Sequence, residues 1–177
     1  HFVYIYIILK YYSCIIRIVY WVISAIRIIM TDKRLQNCIV VDKDTMLGYV
    51  HRVIVAGSRG YNDYNVFSNF IKEHFINDDE FKNNICFISG MANSGGDDLI
   101  IRFCEEYKIP IYPCPAQWND SHGNLDRSAG YKRNLNMLDI GNRLVVFFDG
   151  QSNGTKHILE NAGKRKMKRF IVKIDSP

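Results

Sequence analysis

Three junctions in this chain place small residues, hydroxyls and charge where an apolar strand gives way to a helix. The last is Val145-Val-Phe-Phe-Asp-Gly-Gln-Ser-Asn-Gly-Thr155, in which Asp149, Gly150, Ser152, Gly154 and Thr155 follow the apolar run. A strand that breaks into Gly and Ser and then enters a helix offers the unbonded N–H groups of the first turn, and the helix dipole favours a negative ligand there. The same grammar occurs upstream. Val53-Ile-Val-Ala-Gly57 runs into Ser58-Arg59-Gly60, and Ile85-Cys-Phe-Ile-Ser89 runs into Gly90-Met-Ala-Asn-Ser-Gly95-Gly96-Asp97. The chemistry these junctions suggest is capture of a phosphorylated small molecule.

Individual residues take roles by type. Arg59 carries a planar guanidinium suited to two-point phosphate contact. Asp97 suits either a helix N-cap or a ligand contact. Arg133 and Asn134, early in a helix, point about 100° apart, so one of them is expected to reach the ligand. Asp149 is placed to accept a hydrogen bond from a ribose hydroxyl. Trp118 either stacks on a base or plugs the edge of the sheet, with packing the favoured reading. His122 and His157 are isolated, and no Ser or Cys sits in a recognisable nucleophile elbow, so no hydrolase triad can be argued. Five cysteines with no CxxC pair imply neither a zinc site nor a disulfide framework. Buried free thiols suit a cytoplasmic protein. No motif calls for a metal or a cofactor.

The elements that would position these groups alternate from His51 onward. Strands are expected at 52–57, 85–89, 109–113, 143–148 and 169–174, all short apolar runs bounded by turn residues, as fully buried parallel strands read. Helices are expected at 64–77, 97–108, 129–138 and 155–162. The repetition predicts an α/β fold: a Rossmann-like, doubly wound parallel sheet of about five strands in a three-layer sandwich. With the strand order 3-2-1-4-5, the ligand crevice lies between the strand ending at Gly57 and the strand ending at Phe148.

The net charge of +5 is spread rather than focused: residues 1–45 hold six Lys/Arg against three Asp/Glu, and the remainder 17 against 15. The one basic run, Lys164-Arg-Lys-Met-Lys-Arg169, reads first as the C-terminus of a helix and second as a nucleic-acid patch. Residues 1–45 are expected to lie outside the fold, with 46–177 forming the working domain. The apolar stretches of residues 1–30 are cut by Lys10, Arg17 and Arg27, which argues against a membrane span, so an anchor is the second reading.

Taken together and in order, these motifs resemble the YspA, or cpYpsA-related, SLOG family. The pieces are Val53-Ile-Val-Ala-Gly-Ser-Arg-Gly-Tyr61, Ile88-Ser-Gly-Met-Ala92, Gly96-Asp97, Pro115-Ala-Gln-Trp118, Gly130-Tyr-Lys-Arg-Asn134 and Asp149-Gly-Gln-Ser-Asn-Gly-Thr155. The resemblance implies a Rossmann-like domain that binds nucleotides or their derivatives, as a sensor or a processing protein. The wider superfamily includes cytokinin-activating phosphoribohydrolases and the DNA-processing protein DprA. Two departures stand out. Met91 replaces a loop glycine, and Ile158 occupies the position of the phosphoribohydrolase catalytic glutamate. The expected partner is therefore a nucleotide-derived small molecule. An N-glycosidic hydrolase and a DprA-like DNA-binding module are the alternatives. Self-association is left open.

Overall fold

In this computed structural model the described residues are 32–77, 81, 83–120 and 122–175. The chain divides into two compact units, His1–Asn37 and Cys38–Pro177. The described part of the first is a single 3-10 turn, Lys33–Leu35, started by Asp32, whose carboxylate accepts from Arg34 N–H at 3.1 Å. The expectation of a membrane anchor falls on residues outside the described ones. Among the described residues no helix is long and apolar enough to cross a membrane.

The second unit is a parallel five-stranded sheet with helices on both faces. Its elements run α1 (Lys43–Gly48), β1 (His51–Gly57), α2 (Tyr64–Ile71), β2 (Ile85–Ser89), α3 (Gly96–Tyr107), β3 (Ile111–Pro113), α4 (Ala129–Ile140), β4 (Arg143–Phe148), α5 (Asn153–Lys164) and β5 (Lys168–Lys173). The strand order is β3-β2-β1-β4-β5. This is the order on which the expected crevice position rests, and the doubly wound α/β architecture the sequence predicts is the one observed. Helix α2 widens into a π-helical turn, Lys72–Ile76, so the expected helix at 64–77 is present in two conformations.

Alternation along the strands divides the core in two. Ile54, Ala56, Cys86, Ile88, Leu144 and Val146 face Met137 and Leu138 of α4 and Ile158, Leu159 and Ala162 of α5. The opposite face is aromatic. Phe67 of α2 lies 4.8 Å from Phe147 of β4, and Phe103 of α3 meets Phe87 of β2 edge-on at 6.2 Å, both measured between ring centroids. Each fully buried Phe contributes about 1.5–3 kcal/mol relative to exposure. Helices α1, α2 and α5 begin at polar caps; Asp63, for one, accepts from Val66 N–H at 3.0 Å at the head of α2.

The domain begins earlier than the sequence suggests. Residues 38–45, expected outside the fold, belong to the second unit. Val41 donates its N–H to Ile111 C=O at 3.1 Å, and Ile111 donates back to Ile39 C=O at 2.9 Å. Val41 and Met46 join the aliphatic core. The segment covers the otherwise open edge at β3, a strand too short to signal that it needs a partner.

Candidate functional site

A cleft of about 660 Å³ opens at the carboxyl ends of β1, β2 and β4. This volume is in the range of small-molecule sites. Nine of the residues nominated from the sequence line it: Gly57, Arg59, Gly90, Asp97, Arg133, Asn134, Ser152, Gly154 and Thr155. The remaining five do not, and each is committed elsewhere.

Ser58 is buried, and its Oγ accepts from Asp149 N–H at 3.2 Å, tying the end of β1 to the end of β4. Gly95 and Gly96 bring the start of α3 against β1. A Cβ on Gly96 would lie 2.6 Å from the carbonyl carbon of Ala56, and one on Gly95, at φ +73, would lie 2.5 Å from Ser58 O. Their smallness thus serves a backbone-to-backbone approach. Asp149 accepts from Gln151 N–H and Ser152 N–H, both at 2.9 Å. Those bonds, Ser152 foremost, hold its carboxyl below the usual range. Gly150 supplies the left-handed turn between them at φ +81.

The floor of the cleft is built around Gly90. Asp97 Oδ1 accepts from Gly90 N–H at 2.7 Å, and Arg133 Nη1 donates to Gly90 C=O. Arg133 Nη1 is 3.8 Å from Asp97 Oδ2, with both side chains largely shielded. Asn134, beside Arg133, donates Nδ2 to Gly154 C=O at 3.2 Å. Both members of the adjacent pair therefore reach the cleft, where one was expected. Met91 stands at φ +63, in the region that favours glycine, and its N–H is bonded to Ser89 Oγ at 3.1 Å.

On the far side, α5 begins at Ser152, whose Oγ accepts from Thr155 N–H at 3.5 Å and from Thr155 Oγ1 at 3.0 Å. The Ser152 hydroxyl proton is left to donate. Nothing comes within 4 Å of the space a Cβ on Gly154 would take. Ile158, buried, also lines the cleft and presents a hydrocarbon to it. Asp97 is the only lining carboxylate among the described residues, against three arginines, Arg59, Arg127 and Arg133. No grouping of three or more His, Cys, Asp or Glu side chains suited to a metal occurs among the described residues.

Among the lining residues not nominated from the sequence as ligand contacts are Arg127 and Tyr131, while for Trp118 the sequence allows base stacking or packing, with packing favoured. Trp118 is 48% exposed and lines the cleft instead of packing against the sheet. The basic run 164–169 spans the end of α5 and the start of β5, at the opposite end of the sheet from the cleft. Arg165 of that run pairs with Asp139 at 2.8 Å.

No protein-family model and no curated protein matches the chain. Among solved structures, the fold is similar to that of DNA processing protein A from Helicobacter pylori, in a structure that describes its single-stranded DNA binding mode. The likeness has a TM-score of 0.50 at 13% identity, covering 76% of this chain and 69% of that one. The domain accordingly has a Rossmann-like α/β fold like that of DNA processing protein A.

Proposed function

We propose that the cleft binds a nucleotide or nucleotide-derived ligand, as a sensor or processing protein of the SLOG type acting in the cytoplasm. The observation that carries this reading is the presence of several phosphate donors in one cleft. Arg59, the hydroxyl of Ser152 and the first turn of α5 at Gly154 and Thr155 all line this one cleft. Charged donors and helix-start N–H groups together favour a phosphate. Hydrolysis of a glycosidic bond is disfavoured, because Ile158 replaces the carboxylate and Asp97 is engaged with Gly90. Calorimetric titration with nucleoside mono- and diphosphates tests the proposal. Arg59→Ala should weaken binding roughly 10- to 100-fold, the scale of a hydrogen bond to a charged group. Unchanged affinity removes Arg59 from the site.

A second reading, single-stranded DNA, is favoured by the structural likeness to a protein that binds it. The exposed Arg59 and Arg127 at the cleft, rather than the distant basic run, would then meet the backbone. Oligonucleotide affinity should fall with salt, and each of Arg59→Ala and Arg127→Ala should remove about 0.7 from the log–log slope. An oligonucleotide that binds with an unaltered slope in both variants excludes this path.

A further inference from the structure

We propose that Trp118 is the base-stacking wall of the cleft, an assignment that rests on the nucleotide reading above. Large aromatic side chains are ordinarily well buried, yet Trp118 is 48% exposed. It is nevertheless held in place. Trp118 C=O accepts from Asp126 N–H at 2.7 Å, and Asn119 pairs with Leu125 in an antiparallel bridge. Asp120 Oδ1 closes the turn between them, accepting from His122 N–H and Asn124 N–H at 2.8 Å each. The far edge of the indole rests on the start of α4, with Cη2 3.7 Å from where a Cβ on Gly130 would lie.

Among the described residues no ring or cation stacks on Trp118. The neighbouring aromatic of the cleft, Tyr131, already has a partner in His157, at 4.6 Å between centroids. An open indole on an anchored backbone, in a cleft with phosphate donors, is suited to a planar heterocycle joined to a phosphate. Stacking uses the π-face that every base has, so this wall discriminates base from no base rather than one base from another.

The test titrates the full chain with adenosine monophosphate and with ribose 5-phosphate. Trp118→Ala should weaken the nucleotide roughly 5- to 100-fold, the measured scale for base–aromatic stacking, and leave ribose 5-phosphate unchanged. Trp118→Phe should retain most of the affinity. Nucleotide binding should quench tryptophan fluorescence in the parent and not in Trp118→Phe, where Trp21 is the only tryptophan left. Equal nucleotide affinity in Trp118→Ala and the parent, without quenching, overturns the assignment and leaves the phosphate site standing. So does equal affinity of the parent for the two ligands. Failure of the parent to bind either ligand overturns the nucleotide reading itself, and this inference with it.

Discussion

Arg133 and Asp97 grip the two polar ends of a single residue: Asp97 Oδ1 takes the Gly90 N–H at 2.7 Å while Arg133 Nη1 donates to the Gly90 carbonyl. The arrangement needs a residue without a side chain, since a Cβ on Gly90 would lie 1.7 Å from Arg133 Nη1. Gly90→Ala should therefore expel the guanidinium and cost about 1.5–3 kcal/mol, the range for hydrogen bonds to charged groups. In an Arg133→Ala background the same change should cost well under 1 kcal/mol, because nothing remains to be displaced. A urea-melt double-mutant cycle measures the coupling, and simple additivity would show that Arg133 is not held at Gly90.

Gly154 offers a cleaner probe of the ligand wall. The space around a Cβ there is open to 4 Å beyond its own helix backbone, and its φ is not in the left-handed region, so a Cβ is accommodated without a clash. Gly154→Val should leave stability within about 0.5 kcal/mol and weaken phosphate binding at least roughly tenfold by holding the ligand off the α5 N–H groups. Circular dichroism and calorimetry separate the two effects. Normal binding by the folded variant would make the turn purely structural.

Met91 holds a left-handed backbone at φ +63. Such a conformation costs a non-glycine residue about 1–3 kcal/mol, and a β-branched one is a worse fit. Met91→Gly should be neutral or stabilising by up to about 1 kcal/mol, since relief of strain competes with the added freedom of glycine in the unfolded chain. Met91→Val should destabilise by at least about 1 kcal/mol. Thermal melts of the pair decide it; equal stability of the two variants would show that no strain resides at this position.

Asp126 sets an acid limit for the loop that carries Trp118. Its carboxyl is drawn down to about 2 from 3.8, first by the Lys132 ammonium at 2.8 Å and then by Ser128. A carboxyl depressed in the folded state stabilises it fully above the unfolded value and loses that contribution as pH falls through the folded one. The contribution of Asp126 should thus be complete above about pH 4 and lost between pH 4 and 2. Melting temperatures of the parent should fall more steeply across that window than those of Asp126→Asn. Parallel curves would show that the Lys132 contact does not form in solution.

The edge segment before Met46 predicts a difference between two fragments. A 38–177 fragment keeps the burial of Val41 and the two backbone bonds at Ile111. A 46–177 fragment loses them and should be about 2.5–6 kcal/mol less stable, from one buried Val and two hydrogen bonds. Urea denaturation of the two tests this, and equal stability would set residues 38–45 outside the folding unit.

By itself the sequence determined the sheet and the end of it at which the cleft opens. Buried parallel strands read as unbroken apolar runs, so 85–89 and 143–148 could be placed to the residue, and the junctions after Gly57, Ser89 and Phe148 had to emerge on one end. What a small residue does at such a junction was decided only by tertiary structure. Gly95 and Gly96 have the composition of a phosphate loop, yet their hydrogens face Ser58 and Ala56, because α3 must close onto β1. Ser58 is spent on Asp149 for the same reason, since a hydroxyl buried at the end of β1 needs a partner there. The edge pairing of Val41 and the exposure of Trp118 depend on contacts with segments more than five residues away, Val41 with Ile111 and Trp118 with Asp126 and Gly130. Local periodicity carries no record of such contacts, and only the packed chain reveals them.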